Sequence, residues 1–178
     1  MPTVNVNVDA VSGDTTSFNV NSSTVLSNAS DGDFGSTFFN TVSNVNLTFN
    51  VENVDDVSEL SGATFNTMKA VVTAAAGGKG AMEFTVAILS SDATLTSLSG
   101  AGGSSSEQSD FDTDNVDISS FGTDQFNDLF IRYITTSGTQ PVVSQIKLVV
   151  DYTAASVGAG QLSISSGLLN MSSGNITV

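Results

Sequence analysis

The chain has 178 residues, 39% hydrophobic and only 12% charged, with four Lys and Arg against 18 Asp and Glu for a formal charge of -14. It has neither Cys nor His, which excludes disulfides, thiolate chemistry and imidazole catalysis or metal ligation. Four cations cannot neutralise a run of phosphates, so no nucleic-acid partner is expected, and no window supplies the roughly 20 apolar residues of a membrane helix.

Such a length can remove roughly 70% of the unfolded surface from water, enough for one domain with its own core. Ser, Thr and Asn number 28, 20 and 15, so the expected surface is hydroxyl and amide. The opening residues 1–11 show neither the basic nor the apolar region of a secretory signal. Val4, Val6 and Val8 alternate with Thr3, Asn5, Asn7 and Asp9, which places apolar and polar groups on opposite faces of a strand. Residues 1–30 thus read as an extended N-terminal arm or one or two strands, broken by the turn composition at 12–16.

Residues 31–155 read as the sandwich proper. Val45, Leu47, Phe49 and Val51 form one alternating set, and one of the pair Phe38-Phe39 is expected in the core. Two β-rich runs, 65–75 and 81–89, flank Ala-Gly-Gly-Lys-Gly and are expected to pair as a hairpin. Residues 99–114, rich in Ser, Gly and Asp, read as a long exposed loop. Leu129, Ile131 and Tyr133 share one face, as do Ile146, Leu148, Val150 and Tyr152 after a turn; this too predicts a hairpin, with Arg132 and Lys147 on outer faces. Helix signals are confined to 57–62 and 122–128, the latter with Thr123 as N-cap. The segment 156–178 is too apolar for a linker and too short for its own core, and is expected to dock. The whole predicts an all-β, jelly-roll-type antiparallel β-sandwich with an extended N-terminal arm and a C-terminal docking segment.

Chemistry-bearing motifs are few. Asp110, Asp112, Asp114 and Asp117 resemble the first half of a calcium loop, but Asn115 and Phe121 stand where that loop needs Gly and a bidentate Glu. The run reads as a solvated acidic loop; Asp31-Gly-Asp33 and Asp55-Asp56 read as turns. A glycosidase pair lacks Trp platforms, no Gly-x-Ser-x-Gly elbow occurs, and the glycine runs at 77–80 and 100–103 lack a following Lys-Ser/Thr. No catalytic, cofactor or metal residue is assigned.

The run from Phe121 to Arg132, followed by 143–153 and preceded by 66–74 and 81–89, resembles the strands of jelly-roll virion structural proteins of tailed bacteriophages. The resemblance spans 35–155 and brings no catalytic residues. It implies a non-enzymatic virion component, a capsid decoration, head-fibre or tail-associated protein. Its partners would be the major capsid or another virion protein and its own copies, with a trimer favoured. The alternative is a glycan-binding or host-adhesion module on the same fold.

Overall fold

The computed structural model describes residues 1–19, 22–30, 37–39, 45–77, 82–91, 93–103, 105, 107–136, 140–155, 163–165 and 168–170. In chain order the strands are β1 (Thr3–Gly13), β2 (Phe38–Phe39), β3 (Asn46–Val51), β4 (Thr64–Ala76), β5 (Met82–Leu89), β6 (Thr94–Gly103), β7 (Ser109–Asp112), β8 (Val116–Asp117), β9 (Phe130–Thr135), β10 (Pro141–Thr153), β11 (Ser163–Ser165) and β12 (Leu168–Asn170). Two α-helices, α1 (Ser22–Ser30) and α2 (Thr123–Asn127), and three short 3-10 turns complete the described elements.

These strands form an antiparallel β-sandwich of the jelly-roll type. One sheet carries β10 at its centre, with β4 on one side and β1 and β2 on the other, and with β7 and β8 beyond β4. The facing sheet runs β1, β3, β9, β5, β6. β1 belongs to both: Thr3–Asn7 pair with β10, a register shift falls between Val8 and Ala10, and Val8–Gly13 then pair with β3. A bulge of this kind bends a strand and raises its twist, which lets one segment turn the corner between two sheets. Residues 1–30 therefore supply a structural strand and, in Ser22–Ser30, a helix that the sequence reading did not foresee.

The core lies between the sheets. Met68, Ala70, Val72 and Ala74 of β4 and Ile146, Leu148 and Val150 of β10 face Leu47, Phe49, Ile131, Tyr133, Phe84, Val86 and Ile88 of the other sheet, all buried. The two-residue period read in 45–51, 129–133 and 146–152 thus gives the buried faces correctly. Phe38 is in the core, fully buried against Phe18, Phe49 and Tyr133. The Tyr133 hydroxyl is buried with no partner among the described residues, and burial pushes its pKa up.

Both expected hairpins are corrected. β4 pairs with β10, β7 and β8, whereas β5 pairs with β6 and β9; the glycine-rich link carries the chain from one sheet to the other. Likewise β9 lies between β3 and β5 in one sheet and β10 lies in the other. Alternation dictates which face is buried, and two such strands satisfy it equally well side by side or face to face. Arg132 and Lys147 are half-buried on the outer faces, in register with Thr48 and Ala87, and with Asn7 and Val71.

The long loop expected at 99–114 is corrected as well, for β6 extends to Gly103 and β7 pairs with β4. Main-chain pairing organises this stretch despite its composition. At Gly102, φ is 152° and an added Cβ would lie 1.9 Å from the Met82 carbonyl oxygen, so only glycine lets β6 approach β5 there. Both terminal strands are blunted. β6 carries two extra residues relative to β5, at the register shifts Phe84/Val86 and Ile88/Leu89; β7 is four residues long and carries Asp110 and Asp112. Bulges, shortness and charge all discourage edge-to-edge pairing.

Of the expected helices, the first appears as 3-10 turns at Val54–Asp56 and Ser58–Leu60, the second as α2. Its N-cap is Gly122, not Thr123, and the Gln125 side chain accepts the Gly122 N–H at 2.8 Å. Phe126 of α2 stacks on Phe65 with ring centroids 4.9 Å apart, while Asn127 accepts the Val54 N–H. The C-terminal segment 156–178 lies outside the described residues except for β11 and β12, which among the described residues pair with each other alone.

Candidate functional site

The acidic run does not assemble into a site. Asp110 accepts the Thr73 hydroxyl at 2.6 Å, Asp112 pairs with Lys69, Asp117 accepts the Ser119 N–H at 2.9 Å, and Asp114 is exposed between β7 and β8. Strand alternation puts Asp110 and Asp112 on the outer face beside β4, where each finds its own partner. The Ser119 amide, with the Ser119 hydroxyl, holds Asp117 below the usual carboxylate range; at Asp128 the Ser91 hydroxyl and then the Ser91 amide do the same. Among the described residues no three acidic side chains come together as metal ligands would. Asp31 and Asp33 lie outside the described residues, and Asp55 and Asp56 sit in a 3-10 turn.

A concave, hydroxyl-lined surface occurs elsewhere, at the corner where β1 changes sheets. Asn7, Val8 and Asp9 flank the bulge on one wall. Glu52, immediately after β3, accepts the Asn7 N–H on Oε2 at 3.0 Å and donates its own N–H to the Asn7 carbonyl at 2.9 Å. These two bonds lock the carboxylate to the corner. Helix α1 forms the opposite wall. Val25 and Ala29, four apart, bury fully into the core, which turns Ser23, Leu26, Ser27 and Ser30 toward the cleft, as the spacing of three and four on a helix requires. Asn28 fixes the helix from its side, donating to the Thr37 carbonyl at 2.8 Å, and the Ser30 hydroxyl donates back to the Leu26 carbonyl at 3.0 Å.

The resulting cleft has a volume of about 450 Å³, within the range of roughly 300–1,000 Å³ typical of ligand pockets. Its described walls hold two carboxylates, one amide, three hydroxyls and the partly exposed Leu26, with the buried Val8 behind them. No Lys or Arg is among them. A second cleft, of about 580 Å³, has Thr73, Gln108, Ser109 and Asp110 as its described lining. There Asp110 is occupied by Thr73, and Gln108 accepts the buried Ser144 hydroxyl at 2.7 Å, so its polar groups are largely spent on one another.

Sequence reasoning missed the corner cleft because its walls come from positions 7–9, 23–30 and 52. The one available signal was the four-residue spacing of Val25 and Ala29 in a Ser-rich stretch, which marks a helix with a hydroxyl-bearing outer face.

No family model matches the chain, and no curated protein matches it. Among solved structures the chain is similar to truncated AlyQ with CBM32 and alginate lyase domains, at 16% identity and a TM-score of 0.46, covering 96% of this chain and 38% of that one. It is also similar to the CBM32 of AlyQ in complex with 4,5-unsaturated mannuronic acid, at 15% identity and a TM-score of 0.44, covering 82% of this chain and 97% of that one. The chain thus spans well under half the length of the first of these proteins. CBM32 is a carbohydrate-binding module. The jelly-roll sandwich that the phage resemblance implied is present.

Proposed function

We propose that this chain is a non-enzymatic binding module that takes a carbohydrate in the corner cleft. The observation that carries this reading is the wall chemistry. Carboxylates and amides accept and bridge neighbouring sugar hydroxyls, serine hydroxyls can donate and accept, and the partly exposed Leu26 offers an apolar surface for ring C–H groups. Hydrogen bonds to ionised groups are the stronger kind, and Asp9 is the exposed carboxylate able to make them. A hydrolase would instead need one carboxyl kept as a proton donor. Asp9 faces solvent and Glu52 serves as an acceptor for the Asn7 amide, so neither is placed for that role.

Titration of the full chain against a glycan panel tests the reading. Asp9→Ala should weaken the glycan bound by the native chain roughly tenfold or more, the effect of losing a hydrogen bond to a charged group, with the unfolding midpoint unchanged. Unaltered affinity in this variant would remove the cleft from consideration.

An assembly role is the second reading, and the β11–β12 hairpin favours it. A two-stranded sheet on its own is marginal in water, yet β11 and β12, with Ile164, Leu168 and Leu169 in their sequence, hydrogen-bond to no other described strand. On this reading a second copy of the chain, or a virion shell, covers it. Sedimentation should then show self-association of the full chain and a folded monomer after truncation behind Thr153. Identical sedimentation of the two would end the assembly reading.

A further inference from the structure

We propose that the corner cleft discriminates by charge, taking uncharged glycans and rejecting uronate- or sulfate-bearing ones; this deepens the carbohydrate reading and rests on it. Asp9 and Glu52 approach from the β1 side and from the end of β3, and α1 contributes hydroxyls and Leu26 without a compensating cation. Among the described residues one cation, Lys147, stands beside the cleft walls, against two carboxylates. Of the four basic residues in a chain of charge -14, Lys69 is paired with Asp112 on the outer face of β4, and Arg132 lies on the other sheet between Thr48 and Ala87. Lys79 lies outside the described residues. Lys147 sits on β10 in register with Asn7, one strand away from the cleft walls.

An acidic sugar entering the cleft brings its charge toward two carboxylates, Glu52 held by the Asn7 amide and Asp9 exposed. At roughly 6 Å in water-like dielectric, two such repulsions together weaken binding by about tenfold. An uncharged sugar meets the same carboxylates only as acceptors, and its binding gains from them. Charge selection therefore comes from both carboxylates, of which Asp9 also makes the hydrogen bonds.

The test compares unsubstituted gluco-, galacto- and manno-oligosaccharides with oligogalacturonate and oligomannuronate of equal length, by calorimetry on the full chain at low and at high salt. The expected result is binding of at least one uncharged oligosaccharide, with its acidic counterpart about tenfold weaker at low salt. That gap should narrow as salt screens the repulsion, and should narrow at low salt in Asp9→Asn. Acidic oligosaccharides binding as tightly as uncharged ones, with loss of that binding in Lys147→Ala, would overturn the charge selection and leave the carbohydrate reading standing. Absence of binding by either series would overturn the carbohydrate reading itself.

Discussion

Replacing Phe84 by alanine should lower the unfolding free energy by about 3–5 kcal/mol, the usual loss when a fully buried aromatic side chain is deleted and the surroundings relax only in part. Phe84 is completely buried on β5. Its ring meets the edge of Phe111 at 5.4 Å between centroids and lies tilted against Tyr133, also at 5.4 Å. Phe111 belongs to β7 of the opposite sheet, so this one side chain joins the two layers. Such aromatic pairs add roughly 0.5–1.5 kcal/mol beyond area burial. Urea unfolding followed by far-ultraviolet circular dichroism measures the effect, and Phe84→Leu, which retains much of the volume, should lose well under half as much. A loss below about 1 kcal/mol for the alanine variant would mean that the layers are held together elsewhere.

The second large effect is expected at Gly13. Its φ is 101°, and a Cβ there would stand 2.4 Å from the Asn46 carbonyl oxygen. That same oxygen accepts the Asp14 N–H at 2.9 Å, and Asp14 Oδ2 accepts the Asn46 N–H at 3.0 Å. Gly13 is thus fixed from both sides, by backbone conformation and by a neighbour that is itself main chain and cannot swing aside. Gly13→Val should cost about 2–4 kcal/mol, combining the strain of a positive φ in a β-branched residue with separation of the strand ends. Hydrogen exchange should show the Asn46 and Asp14 amides losing protection first. A variant with native stability and native exchange at those amides would contradict this account of the turn.

Much of the sandwich was legible in the sequence, and the reason is local. Val45, Leu47, Phe49 and Val51, or Ile146, Leu148, Val150 and Tyr152, report their buried face through spacing alone, because the pleat has a fixed period. Partner choice was not legible at 77–81 or 135–141. The turn composition there marks a reversal, and a reversal within one sheet and a crossing between two sheets make the same local demands. β4 adds to the ambiguity, with Val71, Thr73 and Ala75 buried on its outer side as well as Ala70, Val72 and Ala74 on its inner side. The strand character of 99–103 was hidden because pairing there is a main-chain property, and Ser-Gly-Ala-Gly-Gly carries no side-chain pattern to announce it. The corner cleft was the least legible element of all. Asp9, Leu26 and Glu52 have no sequence relation to one another; they meet because β1 shifts register at Val8 and α1 buries Val25 and Ala29 behind it.

The dual membership of β1 also bears on how the molecule comes together in time. The second half of β1, Val8–Gly13, finds β3 some forty residues on, whereas Thr3 pairs with Asp151 and Asn7 with Lys147, so the first half waits until about 140 further residues have been made. Contacts this remote slow the search for the native arrangement, since closing a long loop precedes any reward from it. Until β10 arrives, Val4 and Val6 lack the strand that places them in the core.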